Sequence, residues 1–339
     1  MSSIKDIATE AGVSTATVSH VINKTRFVSD AVRARVLKAI ELHNYYPNAN
    51  ARTLASGRSR TFGLVVSDIS NPFFPELVKS IEEAAFERGY DVILSNTNYD
   101  AERTSHYVRR FIERNVRGVI LLTSEMDKSL LDELARCEVP VVFLDLGEAG
   151  LHASKLRVEY GEGIAQAVRH LVDLGHSDIA FIGGTAHLRS AKCRLEAFRQ
   201  TMRRICPNQI ERIYAGDFKT EGGRRAAFEM LAEKNLPTAV IAANDLMALG
   251  AIQEFRAAGL NVPRDISIVG FDDIAFAMLT EPALTTVNLP RGEIGKRAIE
   301  ALMETINTPT QNGVEILIST QLVIRQSTAQ ARVDKFEKQ

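Results

Sequence analysis

Side chains able to recognise a small polar ligand recur in this sequence at one kind of place, the end of a short apolar run. Asp68, Asn71, Phe73 and Phe74 follow FGLVV, and Ser190 and Arg194 follow IAFIGG. Asp217 and Phe218 follow RIYAG, Asn244 and Asp245 end TAVIAAND, and Asp272 and Asp273 end ISIVGFDD. A guanidinium holds two acceptors in one plane, carboxylates and an amide take hydroxyls, and an aromatic face covers a ring. Together these suit a polyhydroxyl or heterocyclic ligand. Each residue has a structural alternative: Asn244, Asp245 and Asp272 as helix caps, the phenylalanines as core. Five strand ends with the same character favour a binding site. Catalysis is not indicated, because the sequence has no Walker loop, HExxH, GxSxG or Cys/His cluster at metal spacing. Asp272 and Asp273 are adjacent and diverge on one turn, so they make a poor acid/base pair. No enzyme activity, cofactor or metal is predicted.

The elements that must position these residues are legible from periodicity. FGLVV, DVILS, GVILL and PVVFL alternate with helical patterns over 74–88, 101–114 and 128–137. DIAFIGG, RIYAG, TAVIAAND and ISIVGFDD alternate with helical patterns over 164–174, 195–205, 222–234 and 246–258. Such βαβ repetition predicts parallel sheets covered by helices on both faces. Two series imply two lobes of like fold. A last helix over 289–305 and the strands VEILIS and QLVIR cross back between them. The expected division is lobe one at about 61–158 and 289–320, lobe two at about 159–288 and 321–330. Ligands of open α/β sheets bind beyond the strands' carboxyl ends, so two facing lobes place the ligand in a cleft between them.

Ahead of this body lies a segment of different charge. Residues 1–60 hold nine Lys and Arg against four acids, a balance of +5, whereas the whole chain is at −1, leaving −6 for the remainder. A basic head on an acidic body fits a polyanion binder fused to another module. Ser3 and Asp6 form a capping-box pattern opening a first helix, and Gly12-Val13-Ser14 makes a turn. Ser14 caps a second helix over 15–22, and Ser29 a third bearing Val32, Val36, Leu37 and Ile40. This is the helix-turn-helix plan, whose second helix enters the major groove of DNA. Thr15, Ala16, Thr17 and His20 are the outward positions of that helix. Thr and Ala suit a thymine methyl or a hydroxyl contact, and His20 suits guanine or a phosphate. The alternative is a three-helix protein-interaction domain with His20 merely on its surface.

Residues 47–60 join head and body. PNANARTLASG has an N-cap in Asn48, helix formers in between and Gly57 at the C′ position. A helix this short is marginal in water, so its order is expected to depend on its surroundings. The bland alternative is a flexible linker.

IKDIATEAGVSTATVSHVIN and YYPNANARTLASGRSRTFGLVVSDISNPFF together resemble the opening of the LacI/GalR family of bacterial transcription regulators. TVSHVINKTRFVS is most similar to the heads of that family's purine and ribose repressors. The resemblance covers essentially the whole chain. It implies a helix-turn-helix head over 1–46, a hinge helix and linker over 47–60, and a two-lobed periplasmic-binding-protein-like domain over 61–339. It implies DNA contacts at Thr15, Ala16, Thr17, His20, Asn23, Arg26 and Arg52, with Leu54 wedged into the minor groove. It implies effector contacts at Phe73, Phe74, Ser190, Arg194, Phe218, Asn244 and Asp272. Two positions depart from the family pattern. Glu159-Tyr160 stands where an Asp-Asn pair usually opens the second lobe's first helix. Leu188 stands where the purine repressors have an arginine, which turns the expectation toward a sugar such as a pentose or hexose. A purine-responsive repressor with corepressor logic is the alternative, ahead of a sugar-binding protein without a regulatory role.

The expected protein is thus a homodimeric, ligand-responsive repressor of a pseudo-palindromic operator. The dimer face is expected near the first-lobe helix at 75–88. The tail has no sustained leucine heptad, so no coiled-coil tetramer is expected. Three cysteines without a CxxC, no apolar leader and no run long enough to span a bilayer point to a cytoplasmic location.

Overall fold

The computed structural model describes residues 2–46, 59–123, 126, 128–145 and 149–332. The segment 47–58, with Arg52 and Leu54 of the expected hinge, lies outside the described residues, as does the end of the tail from 333. The chain separates into two compact units, residues 1–59 and 60–339.

The first unit is three helices: α1 (Ile4–Ala11), α2 (Thr15–Asn23) and α3 (Asp30–Leu42). The capping box at α1 is present. The Ser3 hydroxyl accepts from the Asp6 amide, and the Asp6 carboxylate accepts from the Ser3 amide at 2.7 Å. These hydrogen bonds to Ser3 hold the Asp6 carboxyl below its ordinary pKa. Gly12 ends α1 with φ of 62°, a left-handed conformation that favours a residue without Cβ. The Ser14 hydroxyl accepts from the Thr17 amide at 3.1 Å and so opens α2. Ser29 occupies the N-cap position of α3 but makes no side-chain capping bond, contrary to its expected role. Ile7, Ala8, Ala11, Val18, Val21, Val36 and Ala39 form the core between the helices.

The second unit contains two six-stranded sheets. The first lobe is built from β1 (Thr61–Val66), α4 (Phe73–Phe86), β2 (Asp91–Asn96), α5 (Ala101–Glu113), β3 (Gly118–Leu122), α6 (Lys128–Arg136), β4 (Val141–Leu144) and β5 (Ala153–Glu159). The chain then enters the second lobe. That lobe comprises α7 (Tyr160–Asp173), β6 (Ile179–Ile182), α8 (Arg189–Ile205), β7 (Arg212–Tyr214), α9 (Thr220–Leu231), β8 (Ala239–Ala242), α10 (Asp245–Ala257), β9 (Ser267–Asp272), a 3₁₀ turn (Ala275–Met278) and β10 (Thr285–Asn288). It returns through α11 (Arg291–Asn307) and β11 (Glu315–Ser319) to the first lobe, and β12 (Gln321–Val323) closes the second. The strand orders are β11-β5-β4-β3-β1-β2 and β12-β10-β9-β8-β6-β7. All neighbours are parallel except β10 and β12. Burial explains the composition: β3 and β8 are buried at every position, as strands covered on both faces must be.

Two strands and two helix starts depart from the periodicity. β5 carries Lys155 and Arg157, and β10 reads TTVN, so neither presents an apolar run. β10 is nonetheless buried, because its hydroxyls are satisfied. Thr286 donates to Asp245, and Thr285 accepts from the Arg325 amide at 2.9 Å. Helices α7 and α8 begin at Tyr160 and Arg189, earlier than the patterns starting at 164 and 195. Their first turns bear polar and aromatic residues that face a cleft, so an apolar period is absent there.

Candidate effector cleft and DNA-reading helix

The carboxyl ends of β1, β3, β4 and β9 meet the amino ends of α4, α7 and α8 around a cleft. Of the seven expected effector residues, Phe73, Phe74, Ser190, Arg194, Phe218 and Asp272 line it. Asn244 does not. Its Oδ1 accepts from the Met247 amide at 3.0 Å, capping α10, and its Nδ2 donates to the Phe218 carbonyl at 2.9 Å. Both ends of its amide are committed to protein groups, so it supports Phe218 from behind the wall. Among the other strand-end residues, Asn71 lines the cleft and bonds the Phe73 amide at 3.0 Å, while Asp68 and Asp217 cap their own turns. Asp245 is fully buried behind β9. It accepts from the Ile274 amide at 2.8 Å, and burial lifts its pKa well above the ordinary value.

Arg194 is the centre of the cleft. Its guanidinium donates to Asp272 at 3.1 Å and to the Ala243 carbonyl. Three rings surround it, Phe271 at 4.1 Å, Tyr160 at 5.1 Å and Phe218 at 5.7 Å, close enough for cation–π attraction. Asp272 is buried, which pushes its carboxyl up to about 6 despite the opposing charges of Arg194 and Arg291. Its φ is 114°, a conformation unusual for a residue with Cβ. Arg291 holds it there, donating to the carbonyls of Asp272 and Asp273 while its Nε meets Glu76 of α4 at 2.8 Å. Arg291 belongs to the first lobe and β9 to the second, so this contact ties the lobes beside the cleft.

Among the lining residues that the sequence reading left out, four stand out for their chemistry. Tyr160, at the start of α7, donates its phenol to Asp145 at 2.5 Å across the lobes. Burial, then the nearby Asp145 charge, raises the phenol well above its ordinary pKa, and burial raises Asp145. Arg189 and Tyr99 also line the cleft. Asp145 directly follows the strand VVFL, so the strand-end rule finds it once applied there. Tyr160 was visible only as a departure from a family pattern. Leu188 is buried, and the adjacent Arg189 reaches the cleft in its stead.

In the first unit, Thr15 and Ala16 are exposed at the start of α2 and Thr17 is partly covered. Thr17 also contacts the Ser14 hydroxyl at 3.0 Å. His20 lies one turn later and bonds the Thr25 hydroxyl at 2.8 Å, which fixes its ring against the loop. Asn23 and Arg26 are exposed at the end of the helix and in the loop, with Asn23 donating to Ser19 at 3.1 Å. Thr15, Ala16 and Thr17 thus open a short, capped helix, His20 follows one turn on, and Asn23 and Arg26 lie at its far end and in the loop beyond. Among the described residues no helix is long and apolar enough to cross a membrane, and no acidic, His or Cys cluster has metal-site geometry.

Two family models match the sequence: bacterial regulatory proteins of the lacI family over residues 3–48, and a periplasmic binding protein-like domain over 168–328. The HTH-type transcriptional repressor PurR of Photobacterium profundum is 39% identical over 330 residues, 96% of this chain and 98% of that protein. The PurR of Pasteurella multocida is 38% identical over 332 residues, again 96% and 98%. Among solved structures, the lac repressor dimer bound to operator and the anti-inducer ONPF has a TM-score of 0.87 at 30% identity, covering 97% of this chain and 99% of that one. An Enterococcus faecium LacI family regulator with bound ribose has a TM-score of 0.73 at 28% identity, covering 80% and 100%.

Proposed function

Because this chain belongs to the LacI/GalR family of bacterial transcription regulators, we propose that it is an operator-binding repressor whose affinity for DNA is set by a sugar bound between its lobes. The observation that carries the effector reading is the Arg194–Asp272 pair held among Phe218, Phe271 and Tyr160. A planar ion pair edged by aromatic faces matches a sugar, which offers pairs of hydroxyls in its plane and C–H groups on its face. Thr15, Ala16, Thr17 and His20 read base edges in the major groove, with Asn23 and Arg26 at the backbone. Two copies bind the two halves of a pseudo-palindrome, and Leu54 of each is wedged at its centre. Effector binding alters the relation of the lobes, and a coupling of roughly 1–3 kcal/mol between cleft and DNA suffices for a useful switch.

The purine reading has one specific support, the PurR names of the relatives, which share 39% and 38% of residues with this chain. Against it stands the buried Leu188. Thermal-shift screening with ribose, other pentoses, hexoses, their phosphates and purine bases separates the two, followed by operator titration at fixed salt. A sugar that stabilises the protein and changes operator affinity supports the proposal. A purine that does so while sugars do nothing overturns it. Leu54→Ala tests the wedge: operator affinity falls while effector binding persists, and unchanged operator affinity refutes it.

A further inference from the structure

The amino ends of three adjacent strands in the first lobe gather arginines. β3, β1 and β2 are neighbours in that order; Arg117 precedes β3, Arg60 precedes β1, and Arg88 lies in the turn before β2. The backbone ties these strand starts together. The Arg60 carbonyl accepts from the Asp91 amide at 2.9 Å, and the Thr61 carbonyl from the Arg117 amide at 2.7 Å. Arg114, the C-cap of α5, opens the loop that ends at Arg117. Arg60, Arg88 and Arg114 are exposed and Arg117 is half-buried. Neighbouring strands lie about 4.8 Å apart, so the three starts span roughly 10 Å. That is about one Debye length at ordinary salt, and their charges act as one field.

Protein acids do not neutralise this field. Glu113 is held by Arg110 at 3.0 Å. Glu87 and Asp91 are exposed in the same turns, but none of Arg60, Arg88, Arg114 and Arg117 forms an ion pair among the described residues. The body beyond residue 60 is acidic as a whole, so this excess of arginine does not follow from composition. Part of it has a local use. Arg88 donates to the Ala84 carbonyl at 2.8 Å, and Arg114 stands at the negative end of the α5 dipole. Arg60 and Arg117 sit at strand starts and have no such use, because a sheet carries little net dipole. The effector is not their partner, since the cleft lies beyond the opposite, carboxyl ends of the same strands. What marks this end of the lobe is the path of the chain. β1 begins here, so the head is tethered to it through residues 47–59. That tether reaches at most roughly 50 Å when extended and about 20 Å in the helical form expected of it. A duplex held by the head is thus within reach, and it carries one negative charge per ~1.7 Å of its axis.

We infer that this end of the first lobe is a second, sequence-independent DNA contact, at which Arg60, Arg114 and Arg117 bind phosphates of the operator duplex that the head reads. The inference rests on the operator-binding function above and adds to it a surface outside the head and hinge. The probe is the duplex that the wild-type protein enriches from a random-sequence library. Its affinity for the full-length protein is titrated by fluorescence anisotropy between about 50 and 200 mM salt, at concentrations where sedimentation shows the dimer. Arg114→Gln combined with Arg117→Gln removes up to about four phosphate contacts from a dimer. At ~0.9 per phosphate, the slope of log affinity against log salt should flatten by ~2 or more. Arg114→Lys with Arg117→Lys keeps the charges and should keep most of the slope. Arg204→Gln with Lys234→Gln removes as much charge from exposed positions of the second lobe and should leave the slope unchanged. A glutamine variant with the wild-type slope overturns the inference, whatever happens to its melting temperature. Equal flattening in the second-lobe pair also overturns it, because the effect would then belong to net charge. If the double glutamine variant does not fold, the exposed Arg114→Glu decides by the same slope. A library from which the wild type enriches no duplex overturns the operator-binding function itself, a result distinct from any change of slope.

Discussion

Replacing Arg194 with Met removes the cation from a site where Asp272 is buried and already pushed up to about 6. The sign of the effect follows from that pKa. In the wild type the folded protein holds the Asp272 proton above the ordinary carboxylate range, so stability declines as pH rises toward about 6 and is level above it. Arg194 is the largest charge opposing that rise, so without it the folded pKa lies higher and the decline continues to higher pH. The gap between wild type and variant should therefore widen between pH 6.5 and 8.0, with a limiting slope of about 1.4 kcal/mol per pH unit. Urea unfolding at those two pH values measures it. Adding Asp272→Asn to the variant removes the titrating group and should abolish the widening, and replacing both partners should cost less than breaking the pair alone. A gap that is the same at pH 6.5 and 8.0 would show that Asp272 does not depend on Arg194 for its charge, and the account of the cleft would fall.

Three further outcomes are expected. Gly184→Ala builds a Cβ into the Phe218 ring, so Phe218 must shift in the cleft; effector affinity measured by titration should fall several-fold, on the order of the 1–3 kcal/mol that overpacking costs. Ser14→Ala removes the hydroxyl that accepts from Thr17, costing about 1 kcal/mol of helix stability, and hydrogen exchange across α2 should accelerate before any change appears in residues 60–332. Arg291→Met cuts the contact between Glu76 and the Asp272–Asp273 carbonyls; small-angle scattering should show a wider distribution of lobe arrangements, and an unchanged profile would mean that other contacts hold the lobes.

The alternation of apolar runs and amphipathic stretches was sufficient for two lobes, because a strand buried on both faces must be apolar at nearly every position, as β3 and β8 are. Local rules also sufficed in the head, where the Ser3–Asp6 box, the Gly12 turn and the Ser14 cap each act within four residues. Strand ends identified Phe73, Phe74, Phe218 and Asp272, since in such sheets the chain leaves every strand toward the same side. Tertiary structure alone decided which polar groups remain free to bind. Asn244 and Asp245 sit at a strand end like Asp272, yet both are committed to protein partners behind the wall, whereas Asp272 lines the cleft. Tyr160 and Asp145, fifteen residues apart, meet only because the chain crosses between lobes at 159–160 and brings α7 to face β4. Sequence type states what a side chain can donate or accept, but whether a neighbour has already taken that capacity depends on elements distant in the chain, and only the packed fold brings them together.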